Sequence, residues 1–227
     1  MSKRLVALVT AIATLLVVGI VCGHAGEAPS LKFELSRLAH DWEHVKLLVS
    51  DRDDQEKQMA SLAQRAEKIA EQYEDIPDPI VWLGIITSEQ ASMANDNGSP
   101  IKALELAKRA RDTLEKVEKT NPETMDAGAP TTLGLLYDRV PGFPIGFGDK
   151  ARARHYLEEA VRNAPNGLDA NFFYGDFLHK HGEQSEAARV LKRALTLPEL
   201  SNRPIWDKSL REAIRQTLSE IQSSVRE

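Results

Sequence analysis

Cysteine is nearly absent from this 227-residue chain, which has a single one at Cys22. Cleavage after Ala25 would leave no cysteine at all, so we expect neither disulfides nor thiolate chemistry, and stability must come from packing. A basic excess is also missing, since the formal net charge is -5 and the pI is about 5.8. Binding to nucleic acid requires a basic surface that neutralises phosphates, and the charge balance therefore argues against a nucleic-acid partner.

Catalytic motifs are equally scarce. The sequence has no nucleophile elbow, and the glycines between Gly142 and Gly148 follow no predicted strand and precede no GKS or GKT, as a phosphate loop would require. His40 and His44 are four residues apart on a predicted helix, but no third ligand with a matching spacing is evident. We therefore predict a protein that is not an enzyme and that has no cofactor and no metal site.

The first 25 residues have the pattern of an export signal. Two cations precede an apolar stretch from Leu5 to Cys22, and small residues ending at Ala25 allow cleavage there. The stretch is 18 residues long, close to the minimum for a membrane span, so an uncleaved anchor stays open as an alternative. Val21 departs from the small residue that lipoprotein signals carry before their cysteine, which disfavours lipidation of Cys22. The predicted location is periplasmic or exported, with the N-terminal segment cleaved or serving as an anchor.

A repeat of 34 residues dominates the rest of the chain. Three positions on one helical face recur at that distance, with Ala153, Leu157 and Ala160 returning as Ala187, Leu191 and Ala194. An earlier copy lies 50 residues upstream of Leu133, Gly134, Ala153, Leu157 and Ala160, at Leu83, Gly84, Ala103, Ala107 and Ala110. These residues resemble the tetratricopeptide repeat, a helix-turn-helix in which a glycine lets two helices approach closely. The predicted fold is all-α, a tetratricopeptide-repeat-like solenoid of antiparallel helix pairs with a C-terminal capping helix.

The pattern divides the chain into four segments: the signal or anchor at 1–25, an N-terminal helical pair at 26–77, the repeats at 78–198 and the capping helix at 199–227. Within the N-terminal pair, helices are predicted from Leu31 to Val49 and from Gln55 to Tyr73, and the cap from Trp206 to Val225. Compared with the last repeat, the first two have seven additional residues between the glycine and the following alanine. We predict these residues in the inter-helix turns, at 95–100 and 140–148.

The first helices of successive pairs line the concave face of such a solenoid, and function is expected there. The segment 140–148 is apolar, and its prolines and glycines would hold Phe143 and Phe147 in defined places, either to bind a ligand or to fill the gap between repeats. The predicted binding residues share a place on this face or in this loop: Arg139, Phe143, Phe147, Asp149, Phe172, Asp176, His179 and Lys180. At least two of the four aromatics between Phe172 and Phe177 are expected to be core residues instead.

Two runs, from Leu136 to Asp149 and from Asp169 to Leu178, resemble bacterial exported proteins grouped with the TatT component of TRAP transporters. The resemblance implies an accessory protein that docks a periplasmic substrate-binding protein or holds a hydrophobic small ligand, and that forms a homo-oligomer. Cys22 lacks the lipoprotein pattern typical of members. The sequence thus predicts a non-catalytic binding module for an envelope transporter or partner protein. The alternative is a membrane-anchored scaffold that assembles an envelope complex without a small ligand.

Overall fold

The structure, a computed structural model, describes residues 30–224, so the predicted signal or anchor and Cys22 lie outside the described residues. Helices make up most of this part of the chain, and it contains no β-strand. The nine helices of the described part are α1 Leu31–Leu48, α2 Arg52–Gln72, α3 Pro77–Asp96, α4 Pro100–Glu118, α5 Thr124–Arg139, α6 Lys150–Asn163, α7 Leu168–Lys180, α8 Gln184–Ala194 and α9 Pro204–Ser224. None of them is both long enough and apolar enough to cross a membrane.

Consecutive helices pack in pairs, α3 on α4, α5 on α6 and α7 on α8, and each pair packs on the next. A glycine in the first helix of each pair faces a leucine of the second helix. A β-carbon on Gly134 would lie 2.5 Å from Leu157 Cγ, and one on Gly175 would lie 2.5 Å from Leu191 Cδ2. Only glycine allows the two helices to come this close. The predicted all-α solenoid of helix pairs is confirmed.

In the first pair, α3 and α4, the structure differs from the alignment with the later repeats that the sequence suggested. Gly84 faces Leu114, not Ala107 as the 50-residue offset implied. The additional residues also lie in helices instead of in the turn at 95–100, because α3 has 20 residues where α7 has 13, and α4 has 19 where α8 has 11. Seven residues make nearly two full turns, so a shift of seven returns to the same helical face and preserves the apolar pattern.

The start of α5 has an unusual backbone. Met125, Asp126 and Ala127 have φ values of 53°, 52° and 60°, in the left-handed region that non-glycine residues rarely adopt. The right-handed part of the helix begins after this turn, which places Pro130 in its first turn, where a proline is tolerated. Three consecutive left-handed residues without a glycine represent stored backbone strain, and they lie beside the inner surface of the solenoid.

The last helix returns to the first. Besides packing on α7 and α8, as a capping helix should, α9 contacts α1. The backbone N–H of Trp206 donates to Glu43 Oε2 at 2.9 Å, and the rings of Trp42 and Trp206 meet edge to face with centroids 4.9 Å apart. Glu43 is fully buried in this contact. The solenoid therefore closes on itself, and its inner surface is bounded by helices from both ends of the chain.

Candidate functional site

Closure divides the inner surface into two neighbouring cavities, one of about 420 Å³ and one of about 260 Å³. Helices α3 and α5 lie between them, and four residues line both: Ser88, Ser92, Leu135 and Arg139. The first cavity extends from these residues to α4 and the loop after α5, and the second extends to α1, α7 and α9. The two cavities are therefore adjoining compartments of one inner surface.

The first cavity is mainly apolar. Its lining consists of Ser88, Ala91, Ser92, Asn95, Asp96, Pro100, Ala103, Leu104, Ala107, Leu135, Leu136, Arg139, Val140, Pro141, Ile145 and Lys180. The Lys180 ammonium pairs with Asp176 at 2.6 Å, so its charge is already neutralised. A concave, apolar site of a few hundred cubic ångströms with few polar groups is typical of binding sites for small molecules or side chains.

The second cavity is aromatic and charge-balanced. All three tryptophans of the chain, Trp42, Trp82 and Trp206, line it. Lys46 lies 5.7 Å and 5.6 Å from the ring centroids of Trp42 and Trp206 and pairs with Glu89.

Asp169 completes the balance of charge in the second cavity, accepting a hydrogen bond from Trp206 Nε1 at 2.6 Å and one from Arg203 at 2.5 Å. Two further lining residues have buried polar atoms without a hydrogen-bond partner among the described residues: Trp42 at Nε1 and Thr131 at Oγ1. Such atoms are costly in a stable interior and are candidates for binding a polar group.

The loop between α5 and α6 forms the lip of the first cavity and is held by backbone hydrogen bonds. The N–H of Gly148 donates to Pro141 O at 2.9 Å, and that of Asp149 donates to Tyr137 O at 2.9 Å. Phe143 and Ile145 nevertheless stay exposed, at 94% and 70% of their surface, and Ile145 also lines the cavity. An ordered loop that exposes two large apolar side chains beside an apolar cavity is a candidate protein-binding anchor.

Phe147, predicted as a binding residue, has its ring partly buried against Tyr137, at a centroid distance of 5.3 Å, and below the Arg111 guanidinium. Burial, together with the hydrogen bond to Glu115, raises the pKa of Tyr137 to about 12, so this phenol stays neutral and donates to Glu115 at 2.9 Å. Of the two roles considered for this loop, these contacts of Phe147 are those expected for filling the gap between repeats, whereas Phe143 is exposed; binding by either residue stays a prediction.

The other predicted site residues are spread over the molecule. Arg139 and Lys180 meet at the first cavity, with Asp176 held by Lys180. Asp149 caps the N-terminus of α6 by accepting from the N–H groups of residues 151 and 152. His179 Nδ1 lies 2.7 Å from Gln184 Oε1, at the turn between α7 and α8. Their roles in binding stay predictions.

The aromatic run on α7 is largely structural. Phe177 is fully buried, and Phe172, Phe173 and Tyr174 are partly buried against the core. Of the four, Phe173 lines the second cavity, and none of the others lines either of the two cavities described above. Within the same part, no group of three or more metal-binding side chains comes together, and His40 instead faces Glu43.

Sequence reasoning missed Ser88 and Ser92, although both precede the turn predicted at 95–100, because neither was assigned to the concave face. It also missed the three tryptophans as a group. Their separation along the chain gave no sign that they would meet, although three tryptophans on three amphipathic helices could have suggested a shared surface.

The fold and its inner surface define an all-α, tetratricopeptide-repeat-like solenoid. Residues 145–202 match the model of the tetratricopeptide repeat. A thermophilic tetratricopeptide-repeat protein of Thermus thermophilus matches in structure with a TM-score of 0.55 and 18% sequence identity, over 86% of this chain and 83% of its own. A de novo designed helical repeat protein covers 87% of this chain and 98% of its own at 21% identity, but its TM-score is 0.37 and supports no argument. No curated protein matches this chain.

Tetratricopeptide repeats generally serve as non-catalytic scaffolds for contacts between proteins. The repeats of this chain therefore indicate a protein–protein interaction module. Solenoids of this kind present an extended concave surface to their partners. Here that surface is divided into cavities, and the exposed loop at its edge offers a second place of contact.

Proposed function

We propose that this protein is an exported binding module that recognises a partner protein through the loop at 140–148 and the adjoining inner surface. The observation that supports this most is the exposure of Phe143 and Ile145 on a loop fixed by backbone hydrogen bonds. An ordered aromatic anchor loses little conformational entropy on binding, so most of its buried area contributes to affinity.

The test is capture of partners from the native envelope fraction, followed by mass spectrometry. Phe143→Ser should release a specific partner, since the exposed ring has no structural task. Ile101→Ser is the control, because Ile101 is also a large exposed apolar residue, at 77%, and lies on α4 outside both cavity linings. A partner set that is identical for both variants and the unmodified protein would refute the role of the loop.

Within this proposal, the partner is a periplasmic substrate-binding protein and the module is an accessory of an envelope transporter. The support for this is the resemblance of the runs 136–149 and 169–178 to the TatT component of TRAP transporters. Recovery of a substrate-binding protein with the unmodified chain, and its loss with Phe143→Ser, would favour the transporter role. Recovery of other envelope subunits alone would contradict it.

The membrane-anchored scaffold remains the alternative, and the N-terminus separates the two. Mass measurement of the protein purified from its native envelope would reveal whether residues 1–25 are retained. A chain that begins after Ala25 and fractionates with the periplasm would exclude the anchored scaffold. A retained apolar segment in the membrane fraction would favour it.

A second candidate function is storage or delivery of a hydrophobic small ligand in the first cavity. Its volume of about 420 Å³ falls in the range of small-molecule sites, and its walls are mainly apolar. Binding of a simple aliphatic compound such as 1-octanol, measured by calorimetry, tests this function without any partner protein. No heat of binding at millimolar octanol would argue against it.

A further inference from the structure

Three polar side chains without partners meet where the two cavities adjoin. Ser88 and Ser92 lie one turn apart on α3 and therefore share a face, and Arg139 is the last residue of α5. All three line both cavities. Their side chains make no hydrogen bond or ion pair with another of residues 30–224. Helical serines commonly bond back to the carbonyl four residues earlier, so two free hydroxyls on one face are notable donors.

Arg139 has no acidic partner, whereas every other cation in the linings of these two cavities has one. Lys46 pairs with Glu89, Arg203 with Asp169 and Lys180 with Asp176. Within the linings of these two cavities, the guanidinium of Arg139 is thus the one cation without an acidic partner. Because a guanidinium has several N–H donors in one plane, it matches the two oxygens of a carboxylate.

Arg139 lies at the boundary between a polar part and an apolar part of the first cavity. The one acidic residue that lines the first cavity, Asp96, lies one turn beyond Ser92; Asp96 and Arg139 are both exposed and form no ion pair, so solvent screens the attraction between them. On the other side of the junction, the wall of the first cavity is apolar: Ala91, Ala103, Leu104, Ala107, Leu136 and Val140. A ligand that reaches Arg139 from this cavity must therefore have one acidic end and one apolar end.

We propose that the junction binds the carboxylate of a small amphipathic organic acid, with Arg139 and the hydroxyls of Ser88 and Ser92 as donors and the apolar part of the acid in the first cavity. The proposal rests on the small-ligand role of that cavity and adds the class of compound that it selects. It does not depend on the protein partner of the loop.

The experiment compares octanoate with 1-octanol, which share an alkyl chain and differ in the acidic head, by titration calorimetry at neutral pH. Octanoate should bind several-fold to about tenfold more tightly, because a hydrogen bond to a charged group is worth about one power of ten in affinity and the exposure of Arg139 reduces this gain. Arg139→Gln should weaken octanoate binding more than octanol binding and so remove this preference. Arg215→Gln is the matched control, because Arg215 is exposed on α9 and lines neither cavity.

A second variant, Ser88→Ala with Ser92→Ala, retains the helix and should weaken octanoate binding more than octanol binding, which keeps the proposal testable if Arg139→Gln folds poorly. Equal affinities for the two compounds would overturn the recognition of the acid and leave the apolar-ligand function standing. A preference for octanoate over octanol that persists in Arg139→Gln would likewise overturn the recognition of the acid. Binding of neither compound would overturn both proposals. Tighter binding of a peptide with a free C-terminal leucine than of octanoate would assign the site to a polypeptide end and overturn the small-acid proposal.

Discussion

Glu43 joins the two ends of the solenoid, and its removal should open the ring. Its side chain is fully buried on α1, and Oε2 accepts from the backbone N–H of Trp206 at 2.9 Å. Because Trp206 is the third residue of α9, this N–H belongs to the first turn, whose donors have no partner within the helix. Glu43 thus serves as an N-terminal cap supplied by a helix 163 residues away. Glu43→Ala leaves that donor buried without a partner.

The expected cost follows from the unsatisfied donor. A buried N–H without a partner costs about 1–3 kcal/mol. The loss of the buried methylenes adds to this cost, whereas release of a buried carboxylate offsets part of it. For a chain of this size, a loss of about 2 kcal/mol lowers the midpoint of thermal unfolding by roughly 4–8 °C. Glu43→Gln should lose less, because the amide oxygen can still accept from Trp206.

Two measurements check this expectation: thermal unfolding by circular dichroism, and hydrogen exchange followed by mass spectrometry. Exchange should accelerate most in the first turns of α9 and in α1, since terminal elements of a solenoid open without the rest. Glu212→Ala is the control, as Glu212 is exposed on the same helix. An unchanged midpoint and unchanged exchange at residues 204–210 in Glu43→Ala would refute the capping argument.

Three further predictions concern other parts of the fold. Gly175→Ala places a β-carbon 2.5 Å from Leu191 Cδ2. This overpacking should lower the free energy of unfolding, measured in urea, by about 1–3 kcal/mol. An unchanged free energy of unfolding would contradict the close approach of the two helices. Asp126→Gly should raise that free energy by up to about 1 kcal/mol, because glycine accepts φ 52° without the steric cost that an L-residue pays there, and a decrease would contradict the strain argument. Burial alone would raise the pKa of Asp207, but hydrogen bonds from Arg211 and from the N–H of Leu200 outweigh it and lower the pKa. The stability from this lowered pKa is present above the ordinary value of 3.8 and is lost as pH falls through the lower folded-state pKa, so Asp207→Asn should be less stable than the unmodified protein at pH 7, with a difference that shrinks in acid. Urea unfolding across pH measures this, and a difference independent of pH would be evidence against it.

The helix pairs and their packing glycines could be predicted because each repeat has small and large residues at the same fixed spacing, as in Gly134 and Leu157. The register of the first pair could not, since a shift of seven residues preserves the apolar face and leaves both alignments equally plausible. Of the candidate site, Arg139 followed from its distance to the repeat glycine. Ser88 was missed, although it lies four residues after the repeat glycine Gly84 and the same argument applies to it. Ser92 lies a further turn along α3, beyond the length that the first helix has in the last repeat.

The left-handed turn at 125–127 was also beyond prediction. Residues with φ near 55° are ordinarily glycine or asparagine, and the sequence there offers methionine, aspartate and alanine. Local preference is overruled by the surrounding packing, which buries Ala127 completely. Closure of the ring was hidden for a different reason: Trp42 and Trp206 meet only after every intervening helix has been placed.

Contact between the first and last helices changes how such a chain reaches its native state. In an open solenoid, contacts are local, folding can start at any repeat, and loss of a terminal repeat is tolerated. Here the pairing of α1 with α9 is a contact of very high sequence separation, whose entropic cost is met only when the intervening helices have folded. Formation of the ring should therefore be the late, slow phase of refolding, and a chain truncated before Pro204 should leave the inner surface open at both ends.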